Sequence, residues 1–281
     1  MSGNITSFEF KKGVIIGRVE EAPGVYTYTI RYDGELKGVP GQFNMLYVYG
    51  LGEIPISLSN IPEVRGNYTL IQHTVRVVGA VTKAIVSGCD IGSIVGIRGP
   101  YGNGWPLKDV KGMDVVIIGG GIGLAPLRPI IKYIGLNRNK FGRLNILYGA
   151  RTPKDLLYKY ELNEYSKISN TKLMLSSDTP AEGWTHHVGF VTDLIDSVDV
   201  DVDIRNTVIY VCGPEVMMRV AVKKLLSKGF RKDLIYLSLE RRMRCGIGVC
   251  GTCQFGHYFI CKDGPVFRYS DIEDYFMIEG I

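Results

Sequence analysis

Four of the six cysteines, Cys245, Cys250, Cys253 and Cys261, fall within seventeen residues, spaced C-x4-C-x2-C-x7-C. This feature restricts the fold most, because one short segment must wrap whatever those side chains hold. The first three match the plant-type C-x4-C-x2-C spacing of a [2Fe–2S] site, where four thiolates hold two irons. Thiolates converging from one segment need tight turns with positive φ, and Gly246, Gly248 and Gly251 stand where such turns belong. Their N–H groups can face the sulfurs and stabilise a cluster that becomes more anionic on reduction. A structural zinc site is an alternative, but it typically comes as two short pairs separated by a longer finger. Disulfides are another, but nothing in residues 1–6 reads as an export signal, which places the thiols in a reducing compartment.

The length of 281 residues predicts about two domains with sizeable cores, and 46% apolar with 22% charged residues excludes long disorder. The net charge of +5 is mild and both signs are interspersed, so no nucleic-acid surface is expected. An uncharged apolar run, residues 115–127, is glycine-rich and too short to span a bilayer. A soluble cytoplasmic protein without membrane attachment is the expectation.

Residues 14–98 read as short strands broken by Pro23-Gly24, Asp33-Gly34 and Pro40-Gly41. No amphipathic helix is evident before Leu127, with at most a turn after Thr82, so an antiparallel barrel or sandwich is predicted. Three patches there look chemical. Ile54-Pro55-Ile56-Ser57 is read as following a strand, Thr74-Val75-Arg76 lies in one, and Gly79-Ala80-Val81-Thr82 would open a short helix. A hydroxyl and free N–H groups at a helix start favour a phosphate, and Arg76 adds a positive charge. Taken singly, the arginine also reads as a solvated side chain and Gly-x-x-Thr as a plain turn.

Beyond residue 104 the period changes. Asp114-Val115-Val116-Ile117-Ile118 is a continuous apolar strand of the kind buried on both faces of a parallel sheet. It leads into Gly119-Gly120-Gly121-Ile122-Gly123-Leu124-Ala125-Pro126 and a helix-like stretch at 128–134, where Pro126 and Pro129 fit only a first turn. A glycine turn between strand and helix lets the backbone approach a pyrophosphate. Further strands are predicted at 145–148, 172–175, 208–211 and 234–239, and helices at 156–164 and 215–228. A second loop, Cys212-Gly213-Pro214, also sits at a strand's carboxyl end, so both loops are expected to face one crevice. Glycine loops also serve packing, and Cys212, like Cys89, also reads as a small buried hydrophobe. His186, His187 and His257 lack ligand spacing and read as surface residues.

On these residues the chain resembles the ferredoxin–NADP reductase superfamily, in particular its members that end in a [2Fe–2S] domain. The likeness runs from Pro40-Gly41-Gln42-Phe43 to Gly264-Pro265-Val266-Phe267. The stretches at 240–248, 258–267 and 52–57 are most similar to the gamma subunit of soluble [NiFe] hydrogenases, the sulfhydrogenases. Similarity extends to the electron-transfer subunit of dihydroorotate dehydrogenase and the B subunit of anaerobic sulfite reductase.

The resemblance implies three domains: an FAD-binding antiparallel β barrel at 1–104, a Rossmann-like NAD(P)-binding α/β domain at 105–239, and a small [2Fe–2S] domain at 240–281. It implies FAD held by Ile54, Pro55, Ile56 and Ser57, by Thr74, Val75 and Arg76, and by Val81 and Thr82. NAD or NADP would be held by Gly119, Gly120, Gly121, Gly123, Ala125, Pro126, Gly213 and Pro214. Ser57 would lie near flavin N5 and Cys212 near the nicotinamide, as the catalytic pair. The cluster ligands would be Cys245, Cys250, Cys253 and Cys261. The broader superfamily carries Arg-x-Tyr-Ser in the first flavin segment, where this chain has Ile54 and Ile56. Arg76 and the helix start at Thr82 are then expected to neutralise the phosphates.

The expected function is electron transfer between NAD(P)H and a partner redox enzyme. A nicotinamide carries electrons in pairs and a cluster takes them singly, so the flavin is expected to stand between them. No ligand set for nickel or siroheme is evident, so other protein subunits are implied: hydrogenase large and small subunits with an iron–sulfur subunit, or their counterparts in dihydroorotate dehydrogenase or sulfite reductase. Arg241, Arg242 and Arg244 read as a solvated basic turn, or as groups that stabilise the reduced cluster or dock an acidic partner. Asp178, Thr179 and Arg151 would border the adenosine. The competing reading of another class is a non-catalytic assembly subunit with zinc in the cysteine loop.

Overall fold

The computed structural model describes residues 8–198 and 202–278; the stretch read for an export signal, residues 1–6, lies outside them. The chain begins with β1 (Lys11–Ala22), β2 (Val25–Asp33), β3 (Phe43–Val48), β4 (Gly52–Ser57), β5 (Glu63–Arg65) and β6 (Tyr68–Arg76), then α1 (Ala80–Gly88) and β7 (Ile94–Tyr101). These strands form one antiparallel sheet in the order β4-β3-β7-β1-β2-β6-β5. A bridge from Leu58 to His73 links the end of β4 to β6, turning the sheet back on itself as a barrel. Alternate residues point inward, so Tyr28, Ile30, Leu46, Ile71, Val75, Val95 and Ile97 fill the interior.

The helix α1 starts where the sequence reading placed a short helix, at 79–82, and runs on through Gly88 where only a turn after Thr82 was evident. Thr82, Ile85 and Val86 are its buried residues, at a spacing of one helical face. These side chains are β-branched and mimic a strand in sequence, but burial against the barrel core outweighs that preference. The barrel also clasps the helix: the Tyr28 hydroxyl donates to the Ile85 carbonyl and Arg18 Nη2 to the Val86 carbonyl.

The chain continues through β8 (Asp114–Gly120), α2 (Leu124–Leu136), β9 (Leu144–Ala150), α3 (Lys159–Lys167), β10 (Thr171–Ser177), β11 (His187–Val188), β12 (Thr207–Cys212), α4 (Glu215–Ser227) and β13 (Ile235–Ser238). Two short strands, β14 (Gln254–Phe255) and β15 (Tyr258–Phe259), and the one-turn α5 (Ile260–Asp263) follow, then β16 (Val266–Arg268) and α6 (Tyr269–Phe276). The second sheet runs β11-β10-β9-β8-β12-β13-β16 and is parallel except for β16, which is antiparallel to β13. Its central strands are buried along their length apart from Asp114 at the start of β8, as the apolar run of β8 predicts.

Two helices differ from expectation. Pro129 lies in the second turn of α2 and not in the first. Its missing N–H removes one bond, and a 3-10 turn at Gly121–Gly123 leads into the helix. Residue 156 does not start a helix, because Tyr158 adopts the left-handed conformation at φ 50° and α3 begins after it. Its ring is fully buried with the Arg128 guanidinium 4.5 Å above its centroid, which holds the strained backbone in place.

The chain divides into two compact units, residues 1–104 with 240–265 and residues 105–239 with 266–281. The stretch 240–281, expected as a domain of its own, is therefore split. Its cysteine loop packs with the barrel, and its end supplies β16 and α6 to the α/β sheet. The stretch 240–265 is too short to bury a separate core of its own.

Candidate functional site

In the barrel unit the structure brings the three expected flavin segments together. Residues 54–57 follow strand β3, as the sequence suggested, and themselves form most of β4. Pro55 lies opposite Met45 in the register, on an edge strand where a missing N–H is tolerated. The Ser57 carbonyl accepts a hydrogen bond from His73 Nδ1 at 2.9 Å, and His73 Nε2 accepts one from Asn44 Nδ2 at 3.0 Å. A carbonyl can only accept, which fixes the proton on Nδ1. His73 is fully buried, and burial pushes its pKa down to about 4, so the ring is neutral. Histidine 73 next to the Ser57 carbonyl was missed in the sequence, where it reads as one more polar residue of an alternating strand.

Thr74 and Val75 are buried at the end of β6, and the Thr74 hydroxyl pairs with that of Thr27 at 2.8 Å. Arg76 is exposed and has no side-chain partner among the described residues. Four residues on, α1 starts with the N–H groups of Ala80, Val81 and Thr82 without partners among the described residues, beside open space at Gly79. The Thr82 hydroxyl is not free as expected: it accepts from Val78 N and Gly79 N and donates to the Gly79 carbonyl. It shapes the turn, leaving the backbone N–H groups and Arg76 as the anion-attracting set. Val81 lies beside Gly52 at the start of β4, where a Cβ would sit 3.8 Å from Val81 Cγ2.

The cysteine loop belongs to the same unit. Gly246, Gly248 and Gly251 have φ values of 76°, 76° and 74°, as converging thiolates require. Backbone N–H groups then face the sulfurs: Gly248 N donates to Cys261 Sγ at 3.1 Å, Val249 N and Ile247 N to Cys245 Sγ at 3.4 and 3.5 Å, and Cys261 N to Cys253 Sγ at 3.5 Å. Cys250 lies beside Cys245, and Cys261 beside both Cys253 and Cys245. Hydrogen bonds from Thr252 and Cys245 lower the pKa of the exposed Cys250 to about 6, while burial beside Cys253 raises that of Cys261 to about 12. Among the described residues no three His, Cys, Asp or Glu side chains gather as one metal ion would need. Thiols backed by backbone N–H donors suit an iron–sulfur cluster, whose sulfurs gain negative charge on reduction. Arg242 and Arg244 are exposed, and Arg241 lies 5.0 Å above the Phe255 ring.

In the α/β unit both expected loops meet at one crevice. Strands β9 and β10 lie to one side of β8, and β12 and β13 to the other, so the topological switch falls between β8 and β12. At their carboxyl ends Cys212 is in register with Gly119. A Cβ at Gly123 would lie 2.3 Å from the Cys212 carbonyl, and one at Gly213 only 3.1 Å from Gly120 Cα. Gly121 is different: it has φ 54° and open space beside it, so the backbone is bare to an approaching ligand. Tyr148 secures the loop, donating its hydroxyl to the Gly121 carbonyl at 3.2 Å. Ala125 and Pro126 are buried in the first turn of α2, where the Pro126 carbonyl accepts from Trp105 Nε1, and pack the loop from within. Pro214 precedes α4, and Cys212 is buried at the end of β12 while Cys89 is only half-buried.

At the ends of β9 and β10, Asp178 N and Thr179 N donate to the carbonyls of Ala150 and Arg151, which places the residues expected near the adenosine side by side. His186, His187 and His257 are exposed.

Known proteins share this arrangement. Residues 117–223 match the oxidoreductase NAD-binding domain family, and residues 240–273 the iron–sulfur cluster binding domain of dihydroorotate dehydrogenase B. The gamma subunit of sulfhydrogenase 2 from Pyrococcus furiosus is 39% identical over 83% of this chain and 83% of that protein. The probable electron transfer subunit of dihydroorotate dehydrogenase B from Thermoplasma acidophilum is 36% identical over 91% of this chain and 88% of its own length. A solved structure of an NADH-dependent reduced ferredoxin–NADP oxidoreductase, described for flavin-based electron bifurcation, is 26% identical with a TM-score of 0.74, covering 98% of this chain and 94% of that one. Barrel, nucleotide crevice, cysteine loop and relatives agree: the chain belongs to the ferredoxin–NADP reductase-like electron-transfer subunits, the family of the sulfhydrogenase gamma and dihydroorotate dehydrogenase B electron-transfer subunits.

Proposed function

We propose that this chain is the flavin- and iron–sulfur-bearing subunit that passes electrons between NAD(P)H and a partner redox enzyme, with FAD in the barrel and a [2Fe–2S] cluster in the cysteine loop. The observation that carries it is the cysteine loop itself, four cysteines on one glycine-turned segment whose backbone N–H groups donate to the sulfurs of Cys245, Cys253 and Cys261. When bound, the flavin exchanges electrons in pairs with a nicotinamide and singly with a cluster.

The chain's own residues bind and orient. Gly119, Gly120, Gly121 and Gly123 with Gly213 and Pro214 leave room for a pyrophosphate at the start of α2, and Cys212 closes the floor of that crevice. Ile54, Pro55, Ile56 and Ser57 present a backbone edge to the flavin ring, held in register by His73. Arg76 and the free N–H groups of α1 take over the phosphate charge that an arginine at position 54 would otherwise neutralise. The partner is another subunit, and the sulfhydrogenase assembly is the one favoured, on the likeness at 52–57 and 240–248.

The test is anaerobic purification followed by iron, flavin and spectroscopic assays. About two irons and about one flavin per chain are expected, with the visible absorption bleached by NADH or NADPH. A colourless protein that binds zinc would replace this reading with the assembly-subunit one. Identification of co-purifying chains decides the partner.

A further inference from the structure

Arg98 in β7 lies outside every segment that the sequence marks as functional, yet it joins two of them. The side chain is buried, and each of its five N–H groups has an acceptor. Nε and Nη2 fork onto the Glu53 carboxylate at 2.7 and 2.6 Å. Nη2 also donates to the Arg244 carbonyl at 3.0 Å, and Nη1 to the Cys245 carbonyl at 2.5 Å and the Tyr101 hydroxyl at 3.2 Å. Phe8, Phe10 and Tyr101 surround the guanidinium at 5.4–5.6 Å from their ring centroids. The cluster loop fits this group closely, since a Cβ at Gly246 would lie 3.3 Å from Nη1.

The partners carry the argument. Glu53 immediately precedes Ile54 in β4, and Cys245 is the first cysteine of the loop. A buried cation is costly unless its charge is met and its donors are filled. Here the charge is met by the strand assigned to the flavin, and the donors by the main chain that carries the first thiolate. A lysine would supply the charge but not the planar fork that reaches carboxylate and carbonyls at once.

We propose that Arg98 is the positioning residue that fixes the Cys245 main chain against β4, and that the Arg98–Glu53 pair sets the reduction potential of the cluster. This rests on the reading that the four cysteines hold an iron–sulfur cluster. A cluster gains negative charge on reduction, so a fixed cation one carbonyl away stabilises the reduced form and a nearby anion opposes it. The two members of the pair therefore act with opposite sign.

The experiment is a potentiometric titration of the anaerobic full-length protein, followed by electron paramagnetic resonance, on the wild type, Glu53→Gln, Arg98→Gln, Arg98→Lys and the double Gln variant. Glu53→Gln leaves Arg98 uncompensated and raises the midpoint potential. Arg98→Gln leaves Glu53 uncompensated and lowers it, and the double variant returns toward the wild type. Arg98→Lys keeps the potential nearer the wild type but broadens the cluster signal, because the Cys245 carbonyl loses its fixed donor. Loss of iron from Arg98→Gln with full retention in Glu53→Gln supports the positioning role, and the upward shift in Glu53→Gln then decides the electrostatic one. Iron-loaded Glu53→Gln with an unchanged or lowered potential overturns the proposal alone. A wild-type chain that takes up no iron overturns the parent reading instead.

Discussion

His73 and Gly123 each do a task that their residue type permits and their neighbours define. His73 is neutral inside the barrel because desolvation outweighs its bonds to the backbone of Ser57 and Ile56. In the unfolded chain it takes up a proton as pH falls through about 6.5, whereas the folded chain resists until about 4. The barrel's stability is thus complete above about 6.5 and drains between these values, by about 3 kcal/mol. Denaturant unfolding at pH 7 and pH 4.5 checks this. The loss should shrink in His73→Gln, and an equal loss in both proteins would remove His73 as its cause. Gly123 has an ordinary φ of −60° but faces the Cys212 carbonyl, so Gly123→Ala must displace backbone. A cost of about 1–3 kcal/mol and NADH affinity weaker by about tenfold or more are expected in a binding titration. Gly121→Ala meets no neighbour and should cost only the left-handed penalty of about 1 kcal/mol.

Between elements, helices α2 and α3 are joined by a buried ion pair that has no counterpart in the sequence reading. Arg128 forks onto Glu161 at 2.7 and 2.6 Å, and Lys132 and the Tyr165 hydroxyl complete the carboxylate's partners. Burial works against the charge on Glu161, but these bonds prevail and bring its pKa down to about 2. The pair's contribution is therefore full above about 4.5 and is lost as pH falls toward about 2. Arg128→Met leaves the buried carboxylate with only Lys132 and the Tyr165 hydroxyl and should destabilise the α/β unit at neutral pH by up to about 3–5 kcal/mol. Replacing both partners with apolar residues should recover most of that in calorimetry. If the single and double variants melt together, the pair contributes nothing that packing does not. Neither residue was distinguishable from a surface charge in sequence, because 33 positions separate them. The start of helix α1 was legible at Gly79–Thr82 but its length was not, because its buried face is built from β-branched residues that read locally as strand.

Across the whole molecule, the chain's last stretch belongs to a unit other than the one its neighbouring cysteines join. Val266, Phe267, Tyr269, Ile272 and Phe276 are buried in the α/β unit, on β16 and α6. Ending the chain after Pro265 removes that apolar burial, worth about 5–10 kcal/mol and comparable to the stability of a whole domain. Nucleotide binding should be lost in the truncated chain while iron is retained in the cysteine loop; a truncated chain that still binds NADH would show that the sheet does not need this edge. Contiguous features were legible without coordinates. The cysteine spacing, the positive-φ glycines of its loop, the two carboxyl-end loops at Gly119 and Cys212, and the barrel-then-parallel order of elements all depend on residues close in sequence. Chemistry at short range leaves its mark in spacing and period. What only the tertiary structure decided is long-range: the neutral His73 under Ser57, the occupied hydroxyl of Thr82, the Arg98 guanidinium on Cys245, and the division of residues 240–281 between two units. Each depends on which groups lose water together, and that is set by packing between segments that no local pattern relates.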